Sequence, residues 1–543
     1  CLDDDIASST RVCFPSIQPA PHITPGAIVW LAEDADGFAS VWGFDADWAT
    51  AVSTRPVAQM HGSWPGFTDT GEVAYLLAPD KNHRPDTTIV DALAYGSLGR
   101  RDFHGQRLSR TQDFASLPTG EETATEATVV SGWLGPPVPY PYTGYNSRGQ
   151  VLYRKLNQTT GLPVPDTDRA ADWAQDPNDP LDGRKLRYPG WDLETMFFPL
   201  NIPGPINVTI AVAPEATYDF VIQHITTAEE ALYVQGYTLG SPTLYASIQQ
   251  RIQAGVMVTA LLDHSPAGGM TDEEKWVAQQ LHSPPQSYVF FMGPQAPRYR
   301  YQHAKFIIVD DKVAIISTDN FGETSMPSDP KANGTMGHRG VMLATDSLEI
   351  ITRLKTLFQR DCDPAHHLDV QPYNASYAPP PAFSPLPVTD WTTYTAIFSQ
   401  PLTSVVTDVV LLHAPDHGLR DQDALLALLN STEAGDAIAV MQLNERITWT
   451  TGIGIIGQNP RITALANAAA RGAEVRVLLD AYYDDPTESD QNTATCLYLN
   501  RLPYPNLTCR LANITGLGIH AKLFLIESQG KTTINLGSFN GTE

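Results

Sequence analysis

YQHAKFIIVD, residues 301–310, is the stretch that decides the fold, and a second copy of its core, HAKLFLIE, occupies residues 520–527. Each copy places a histidine and a lysine two residues apart, directly before an apolar run. Successive side chains of a β-strand alternate between its two faces, so the histidine and lysine of each pair project together. The apolar run that follows predicts a strand anchored in a hydrophobic core.

The two stretches belong to an internal repeat. The sequence IQQRIQAGVMVTALLD ends at Asp263, and ALANAAARGAEVRVLLD ends at Asp480. Both indicate an amphipathic helix, a glycine and a buried strand. Asp263 precedes His303 by 40 residues, Asp480 precedes His520 by 40, and the copies lie 217 residues apart at both points. This alternation predicts an α/β fold with mainly parallel sheets flanked by helices.

The repeated side chains suit phosphate chemistry. Two lysines and two asparagines, brought together, would form a compact donor-rich pocket for phosphate oxygens. One neutral imidazole can attack phosphorus and form a phosphohistidine, while the other can protonate the leaving oxygen and then activate water. The lysines meet the phosphate charge, so we expect no metal and no other cofactor. No cysteine or carboxylate occurs at a metal-ligand spacing in both copies, which argues against zinc.

This duplicated pattern resembles the phospholipase D superfamily, whose signature is H-x-K-x4-D followed by G-S-x-N. The resemblance covers about residues 200–543. It implies two α/β lobes related by pseudo-two-fold symmetry, with a nucleophilic His303 and an acid/base His520 in the cleft between them. It also implies phosphate-binding residues, which are Lys305, Lys522, Asn320, Asn540, Thr318 and Ser538. Asp310 and Glu527 would support the site from behind.

The chain departs from that signature in three places. Glu527 replaces an aspartate, and Ser317-Thr318-Asp319-Asn320 stands where G-S-x-N is expected. The family usually has a downstream acid that orients each catalytic histidine, yet GHRGVML at 337–343 contains none. Glu323 is the candidate substitute. The second such acid is expected beyond Glu543, so we expect the second lobe to be truncated.

Residues before about 195 follow a different pattern. Short apolar runs such as GAIVWLA and GEVAYLLA are separated by turn residues, which is typical of an all-β sandwich. The stretches GSWPGFTDTGEVAYLLAPD and DTDRAADWAQDPNDP resemble a lamin-tail domain, an immunoglobulin-like sandwich, over about residues 25–185. The predicted division is an N-terminal sandwich at 1–195, a first lobe at 196–371, a proline-rich linker at 372–390 and a second lobe at 391–543.

Composition limits the classes of function. The chain has 543 residues, of which 42% are hydrophobic and 17% charged, so wholesale disorder is excluded. The 60 acidic and 35 basic residues give a net charge of −25, which disfavours non-specific binding to nucleic acid or anionic lipid. No apolar run approaches 18 residues, so the sequence predicts no transmembrane segment.

Cysteines and sequons point to secretion. Cys1 and Cys13, and Cys496 and Cys509, are close enough in sequence for local disulfides. Since the chain begins with cysteine, we expect an N-terminal piece to be missing or removed, and a lipid-bearing Cys1 is the alternative to a disulfide. Asn-x-Ser/Thr sequons predict glycosylation sites at Asn157, Asn207, Asn333, Asn374, Asn430, Asn506, Asn513 and Asn540.

The sequence therefore predicts a secreted or cell-surface phosphodiesterase that works without a metal through a phosphohistidine. Its partner is a phosphodiester substrate, and a phospholipid is favoured. An extracellular nuclease is the first alternative, because the G-S-F-N stretch at 537–540 is similar to that of nuclease members. The second is a structural or adhesive surface protein that retains the fold, favoured by the sandwich, the sequons and the missing acid. The sequence leaves the oligomeric state open.

Overall fold

The computed structural model describes residues 1–4, 10–15, 27–68, 71–79, 85–96, 133–138, 152–174, 197–293, 299, 301–364, 367, 369–386, 394–414, 417–418, 420–450, 456–487 and 491–542. The chain forms two compact units. The first comprises 1–194 with 365–368 and 451–455, and the second comprises 195–364, 369–450 and 456–543. The predicted four-part division stays a prediction.

The first unit contains eight named strands and one α-helix in its described residues. They are β1 (Leu2–Asp3), β2 (Val12–Cys13), β3 (Leu31–Ala32), α1 (Ala35–Trp42), β4 (Trp48–Ala49), β5 (Ala58–Gln59), β6 (His61–Gly62), β7 (Gly71–Pro79) and β8 (Pro85–Gly96). The order β6-β2-β1-β7-β8 forms an antiparallel sheet, and β3-β4-β5 forms a parallel one. A core around Val73, Leu77 and Trp133 packs against the larger sheet.

This unit differs from the predicted all-β sandwich. Helix α1 begins where the Asp34 side chain accepts a hydrogen bond from the Asp36 N–H, and it ends at Gly43, whose φ is 75°. A helix and a parallel three-stranded sheet are not parts of an immunoglobulin-like sandwich. The lamin-tail resemblance is not confirmed, and much of its range lies outside the described residues.

The second unit is a mixed α/β structure. Its strands are β9 (Leu200–Ile202), β10 (Ile206–Ala213), β11 (Ala231–Gly236), β12 (Leu239–Gly240), β13 (Met257–Asp263), β14 (Ser287–Met292), β15 (Phe306–Val309), β16 (Val313–Ser317), β17 (Phe321–Gly322), β18 (Gly337–Thr345), β19 (Val370–Pro372), β20 (Leu402–Val406), β21 (Val409–Leu411), β22 (Ala437–Gln442), β23 (Thr448–Thr450), β24 (Ile456–Gln458), β25 (Glu474–Asp480), β26 (Leu507–Ala512), β27 (Gly516–Ile519), β28 (Lys522–Ser528) and β29 (Lys531–Leu536). Its helices are α2 (Thr217–Thr226), α3 (Pro242–Gln253), α4 (Asp272–Leu281), α5 (Leu348–Asp361), α6 (Leu425–Asn430), α7 (Pro460–Arg471) and α8 (Asn492–Arg501).

Two sheets of this unit share one topology. The larger has the order β19-β14-β13-β11-β15-β16-β18-β10-β20, with β27 added to β18, and the smaller has the order β26-β25-β22-β28-β29. The five-strand series β14-β13-β11-β15-β16 and β26-β25-β22-β28-β29 both pair parallel, parallel, antiparallel and antiparallel. The internal repeat therefore corresponds to a repeated strand order. The pseudo-two-fold axis stays a prediction.

The prediction of mainly parallel sheets was wrong, because each histidine–lysine strand turns back in a tight hairpin. Three residues join β15 to β16, and Asp310 and Asp311 adopt left-handed φ values of 51° and 54°. Gln529 and Gly530 join β28 to β29 with φ values of 52° and 75°. Connections this short can join only antiparallel strands.

Helices of the two repeats begin in the same way. Ser241 caps α3 by accepting a hydrogen bond from the Leu244 N–H, and Asn459 caps α7 by accepting one from the Arg461 N–H. A proline follows each cap, at the first helical position, where its missing N–H is harmless. The apolar faces of α2, α3 and α4 pack on the larger sheet in a core that includes Phe220, Ile248 and Val277.

The proline-rich segment at 372–390 is more than an extended linker. Pro372 ends β19, which pairs with β14 in the larger sheet. The Tyr377 side chain is buried, and its ring stacks on that of Phe291 with centroids 4.0 Å apart. The start of this segment therefore belongs to the core, whereas residues 387–390 lie outside the described part of the chain.

Cys1 is bonded to Cys13 in the first unit, and Cys496 to Cys509 in the second, as predicted. The second disulfide ties α8 to β26. Among the described residues, no helix has both the length and the apolar character needed to cross a membrane.

Candidate active site

Strand β18 brings the two histidine–lysine motifs together. Strand β27, which leads into the second motif, pairs with β18 in parallel, and the N–H groups of His520 and Ala521 both donate to the Arg339 carbonyl at 2.9 Å. The Arg339 guanidinium is buried and makes two hydrogen bonds with Glu215, at 2.9 and 3.0 Å. This anchored strand holds His520 beside the segment that follows the first motif.

His303 is held by a backbone carbonyl of the second motif. Its Nδ1 lies 3.0 Å from the Ser538 carbonyl oxygen. Because a carbonyl can only accept, the ring proton lies on Nδ1 and the lone pair on Nε2. The Tyr237 ring lies against the imidazole with centroids 4.7 Å apart. His303 is thus oriented with a basic nitrogen available for reaction.

His520 has the reciprocal contact and a carboxylate as well. Its Nδ1 lies 3.2 Å from the Thr318 carbonyl oxygen, 3.0 Å from Asp319 Oδ1 and 2.9 Å from Lys522 Nζ. Thr318 and Ser538 occupy the same position in the two motifs, two residues before the asparagine. Phe539 stands where the first motif has Asp319, so only His520 receives a charged partner from these motifs.

The two lysines are buried beside the histidines. Lys305 Nζ donates to the His303 carbonyl at 2.7 Å, and Lys522 Nζ donates to the His520 carbonyl at 2.6 Å. Both side chains belong to residues only 2% exposed. Burial lowers the pKa of Lys522 to about 7, and burial with repulsion from Lys522 holds the pKa of Lys305 well below its usual value.

Burial also sets the charges of the other groups. Burial and the neighbouring lysines hold the pKa of His303 well below its usual value. Burial and Lys522 lower the pKa of His520 to about 3, although Asp319 opposes the shift. Burial alone would raise the pKa of Asp319, but His520, His338 and Lys522 together lower it. Without a bound anion, both imidazoles are therefore neutral near pH 7.

Two further aspartates fix the backbone just before each histidine. Asp263 Oδ2 accepts a hydrogen bond from the Gln302 N–H at 2.6 Å, and Asp480 Oδ1 accepts one from the Ile519 N–H at 2.6 Å. Burial raises the pKa of Asp263 to about 6. These aspartates served as spacing landmarks in the sequence, but the pattern gave no sign that they bind the backbone of the motifs.

Of the predicted phosphate-binding residues, Thr318 and Ser538 reach the histidines through their backbone carbonyls. The Oδ1 atoms of Asn320 and Asn540 are buried and make no hydrogen bond within the described structure. Thr318 Oγ1 instead accepts from the Val341 N–H at 2.9 Å, and Ser538 contributes its carbonyl to His303. Since an amide oxygen can only accept, any contact of these asparagines with phosphate oxygens would have to come from their Nδ2 donors.

The two acids predicted to support the site, Asp310 and Glu527, differ from each other in where they lie. The Asp310 carboxylate accepts three backbone N–H groups, at 2.7, 2.8 and 2.9 Å, and so fixes the start of β11 behind the site. Glu527 is exposed near the far end of β28, which differs from its expected role.

Glu323, the candidate substitute for the orienting acid, makes its contacts at the start of α3. The Glu323 carboxylate accepts from the hydroxyls of Ser241 and Thr243, at 2.6 and 2.7 Å, and so belongs to the start of α3. Asp319 faces His520 instead. It occupies the variable position of the S-T-D-N stretch, where the signature specifies no residue type.

The sequons differ in exposure. Six of the asparagines are exposed, namely Asn157, Asn207, Asn333, Asn374, Asn430 and Asn513. Asn506 is half-buried, and its Nδ2 donates to the carbonyls of Ala469 and Ala473 at 2.8 and 2.6 Å. Asn540 is also half-buried, and its carbonyl accepts a hydrogen bond from Arg461 at 3.0 Å. Glycosylation stays a prediction.

One acidic group in the first unit has a spacing that a cation could use. Carboxylate oxygens of Asp91, Asp166 and Asp168 lie within 4.8 Å of one another. Arg154 pairs with Asp166 at 2.7 Å, so part of this charge is already neutralised. Exposed acidic groups of this kind are common without an ion, and this one belongs to a different unit from the histidines.

Comparison with known proteins identifies a family that matches part of the chain. Residues 221–362 match the family described as cardiolipin synthase, PLD-like domain. No curated protein sequence matches the chain. Two similar solved structures are Nuc from Salmonella typhimurium, a phospholipase D family member, and phosphatidylserine synthase from Haemophilus influenzae.

Nuc is 14% identical and has a TM-score of 0.25, over 32% of this chain and 100% of its own. The synthase is 11% identical and has a TM-score of 0.39, over 59% of this chain and 76% of its own. Polyphosphate kinase from Porphyromonas gingivalis is 13% identical with a TM-score of 0.37, over 61% of this chain and 45% of its own. By its match to this family, the chain contains a PLD-like domain at residues 221–362.

Proposed function

We propose that this protein is a phosphodiesterase that works through a phosphohistidine on His303. One observation carries the proposal: the Ser538 carbonyl holds the His303 proton on Nδ1, which leaves the Nε2 lone pair available for attack. The second histidine, His520, is set apart by its carboxylate partner, Asp319. The two imidazoles thus suit two different roles.

In the first step, Nε2 of His303 attacks phosphorus. A P–N bond forms while the P–O bond to the leaving group breaks, and His520 gives a proton to the departing oxygen. We expect the lysines and the Nδ2 groups of Asn320 and Asn540 to donate to the phosphoryl oxygens as charge moves onto them. The products of this step are an alcohol and a phosphohistidine.

In the second step, His520 removes a proton from water as the water oxygen attacks phosphorus. The P–N bond breaks, and His303 regains its neutral form with Nε2 free. The second product is a phosphomonoester. No metal takes part in these steps, because the lysines supply the positive charge that the phosphate requires.

The bound substrate prepares His520 for its role as an acid. In the free protein, burial and the neighbouring Lys522 lower the pKa of His520 to about 3. A phosphodiester anion between the two lysines offsets their charge, and Asp319 remains beside Nδ1. The pKa of His520 therefore rises on binding, so the imidazolium forms where the leaving group needs a proton.

We infer that the substrate is a phospholipid and that the protein is secreted or held at the cell surface. The net charge of −25 opposes approach to the polyanionic backbone of nucleic acid and to anionic lipid, but not to a phospholipid without net charge. The matching family is named for cardiolipin synthase, which supports a lipid diester. Two local disulfides and eight sequons support an oxidising, extracellular compartment.

A scaffold that merely retained the fold is less well supported. The missing orienting acid favoured that alternative, and Asp319 supplies a carboxylate 3.0 Å from His520. Buried lysines with lowered pKa values are costly to a fold, which favours their retention for function.

The test is hydrolysis of bis(p-nitrophenyl) phosphate by the full-length protein, with and without EDTA. Wild type, His303→Ala and His61→Ala are compared, since His61 is an exposed histidine of the first unit. We expect wild type and His61→Ala to release p-nitrophenol equally in EDTA, and His303→Ala to lose at least about 10³-fold in rate. Equal rates in all three proteins, or loss in EDTA, would contradict the proposal.

Two sets of substrates, lipid vesicles and oligonucleotides, are then tested with the same proteins to decide the substrate class. Phosphatidylcholine vesicles are assayed for released choline, and single-stranded and duplex oligonucleotides are assayed for cleavage. Turnover of vesicles supports the phospholipid, whereas cleavage of oligonucleotides alone assigns the protein to nucleases. A folded wild type that cleaves none of these substrates supports the scaffold.

A further inference from the structure

A third histidine, His338, lies in the same cluster, and the proposed mechanism gives it no role. It comes from β18, in the GHRGVML stretch whose lack of an acid departs from the family signature. Its side chain is buried, with only 6% of the residue exposed. Its ring stacks on that of His520, with centroids 5.2 Å apart and planes 13° apart. An imidazole therefore covers one face of His520.

Both ring nitrogens of His338 have partners. Nε2 lies 2.9 Å from the Tyr483 hydroxyl, and Nδ1 lies 3.3 Å from Ser325 Oγ and 3.8 Å from Asp319 Oδ1. When the Tyr483 hydroxyl donates to Nε2, the lone pair of the neutral ring faces that hydroxyl. The proton of the neutral His338 ring then lies on Nδ1, on the side of the Asp319 carboxylate.

We propose that His338 is a positioning residue for His520 and acts through Asp319. Tyr483 holds the rotation of His338 through Nε2, the Nδ1 side of His338 lies 3.8 Å from the Asp319 carboxylate, and the carboxylate faces His520 Nδ1. The stacked ring also limits rotation of the His520 imidazole. This inference rests on the proposed function, because it assigns His338 to the proton-transfer half of that reaction.

The charges around His338 favour its neutral form. Burial is the largest influence and lowers its pKa; Lys522 lowers it further, while Asp319 opposes the shift. The adjacent Arg339 is already paired with Glu215. A neutral His338 leaves the negative charge of Asp319 for the His520 imidazolium. A protonated His338 would compete with His520 for the negative charge of Asp319. Loss of His338 should therefore also move the acidic side of the pH–rate profile for diester cleavage.

The test separates proton transfer from the rest of catalysis through two substrates of similar shape. Bis(p-nitrophenyl) phosphate releases p-nitrophenolate, which leaves without a proton, whereas diphenyl phosphate releases phenolate, which benefits from one. His338→Phe keeps a ring over His520 but removes both nitrogens, and Tyr483→Phe removes only the hydroxyl. Tyr482→Phe is the matched control, since the Tyr482 side chain is 48% exposed and Tyr483 is 51% exposed.

In single-turnover assays, we expect His338→Phe to slow diphenyl phosphate cleavage by about tenfold or more, and bis(p-nitrophenyl) phosphate cleavage by less than about threefold. Tyr483→Phe should act in the same direction by about threefold, and Tyr482→Phe should change neither rate. Because His338 acts through Asp319, the double variant with Asp319→Asn should be no slower than Asp319→Asn alone.

Two results would overturn the inference: an equal loss on both substrates, or fully additive losses in the double variant. If thermal melting shows that His338→Phe does not fold, the double-mutant cycle is run with Tyr483→Phe and Asp319→Asn instead. If wild type cleaves neither diester, the proposed function fails first, and ¹⁵N NMR of the histidine rings then decides the positioning role. We expect Tyr483→Phe, but not Tyr482→Phe, to shift the ring resonances of both His338 and His520; an unchanged His520 would overturn it.

Discussion

Asp319 Oδ1 lies 3.0 Å from Nδ1 of His520, although the two residues are 201 positions apart in the chain. The corresponding contact of His303 is to an uncharged group, the Ser538 carbonyl. A carboxylate stabilises an imidazolium more than a carbonyl does, because it adds a full negative charge. The two histidines thus differ in the charge of the group that faces Nδ1, which suits His520 to the role of acid in the proposed reaction.

Asp319→Asn should therefore impair proton transfer by His520. We expect cleavage of diphenyl phosphate to fall by roughly 10²–10⁴-fold, and the first release of p-nitrophenol from bis(p-nitrophenyl) phosphate by less than about tenfold. Asp311→Asn, which alters an exposed carboxylate paired with Lys355, is the control. Equal losses on the two substrates would show that Asp319 serves the fold and not the acid.

Anion binding should depend on the protonation of Lys522. Burial lowers the pKa of this lysine to about 7 in the free protein, so it is neutral above that pH and must take up a proton to bind an anion. Sulfate keeps its charge from pH 6 to 9, and its affinity should fall by up to about tenfold per pH unit above pH 7. Inhibition of bis(p-nitrophenyl) phosphate cleavage measures this affinity.

Lys522→Arg is the matched variant, because a guanidinium keeps its charge over this pH range. The fall in sulfate affinity above pH 7 should become shallower in this variant, even if the affinity itself is weaker. A wild-type affinity that is constant from pH 6 to 9 would contradict the lowered pKa.

The two backbone-binding aspartates should contribute alike to stability. Asp263→Asn and Asp480→Asn each replace a carboxylate that accepts two backbone N–H groups, and an amide can accept through only one of its two terminal atoms. We expect each change to lower the free energy of unfolding by about 1–3 kcal/mol, measured by urea unfolding.

Asp421→Asn, at an exposed aspartate of the same unit, should leave the urea midpoint unchanged. If neither motif variant differs from this control, the aspartates do not hold the strands that carry the histidines.

The chemistry-bearing residues were predictable because they are repeated at fixed spacing. His303, Lys305, His520 and Lys522 all lie in the cluster that their pattern predicts. The strand directions in the sheets were mispredicted. A periodic apolar run does not reveal that Asp310 and Asp311 adopt left-handed backbone angles and turn the chain back in a β-hairpin. Local turn chemistry decided the strand direction at that point.

The partners of the histidines were less predictable, because they come from distant parts of the chain. Asp319 lies in a variable position of its motif, and its role depends on the approach of β27 to β18. His338 faces His520 for the same reason. No local spacing encodes a contact between strands more than 150 residues apart.

The most direct test of the account is to trap the covalent intermediate. His520→Ala removes the group that activates water but leaves His303 in place, and p-nitrophenolate can leave without a proton. Incubation of this variant with bis(p-nitrophenyl) phosphate should give one burst of p-nitrophenol per site. Mass spectrometry of peptides prepared without acid, which would hydrolyse a phosphohistidine, should place a p-nitrophenylphosphoryl group on the His303 peptide. An adduct on another residue, or no adduct in a variant that folds while wild type turns over, would contradict it.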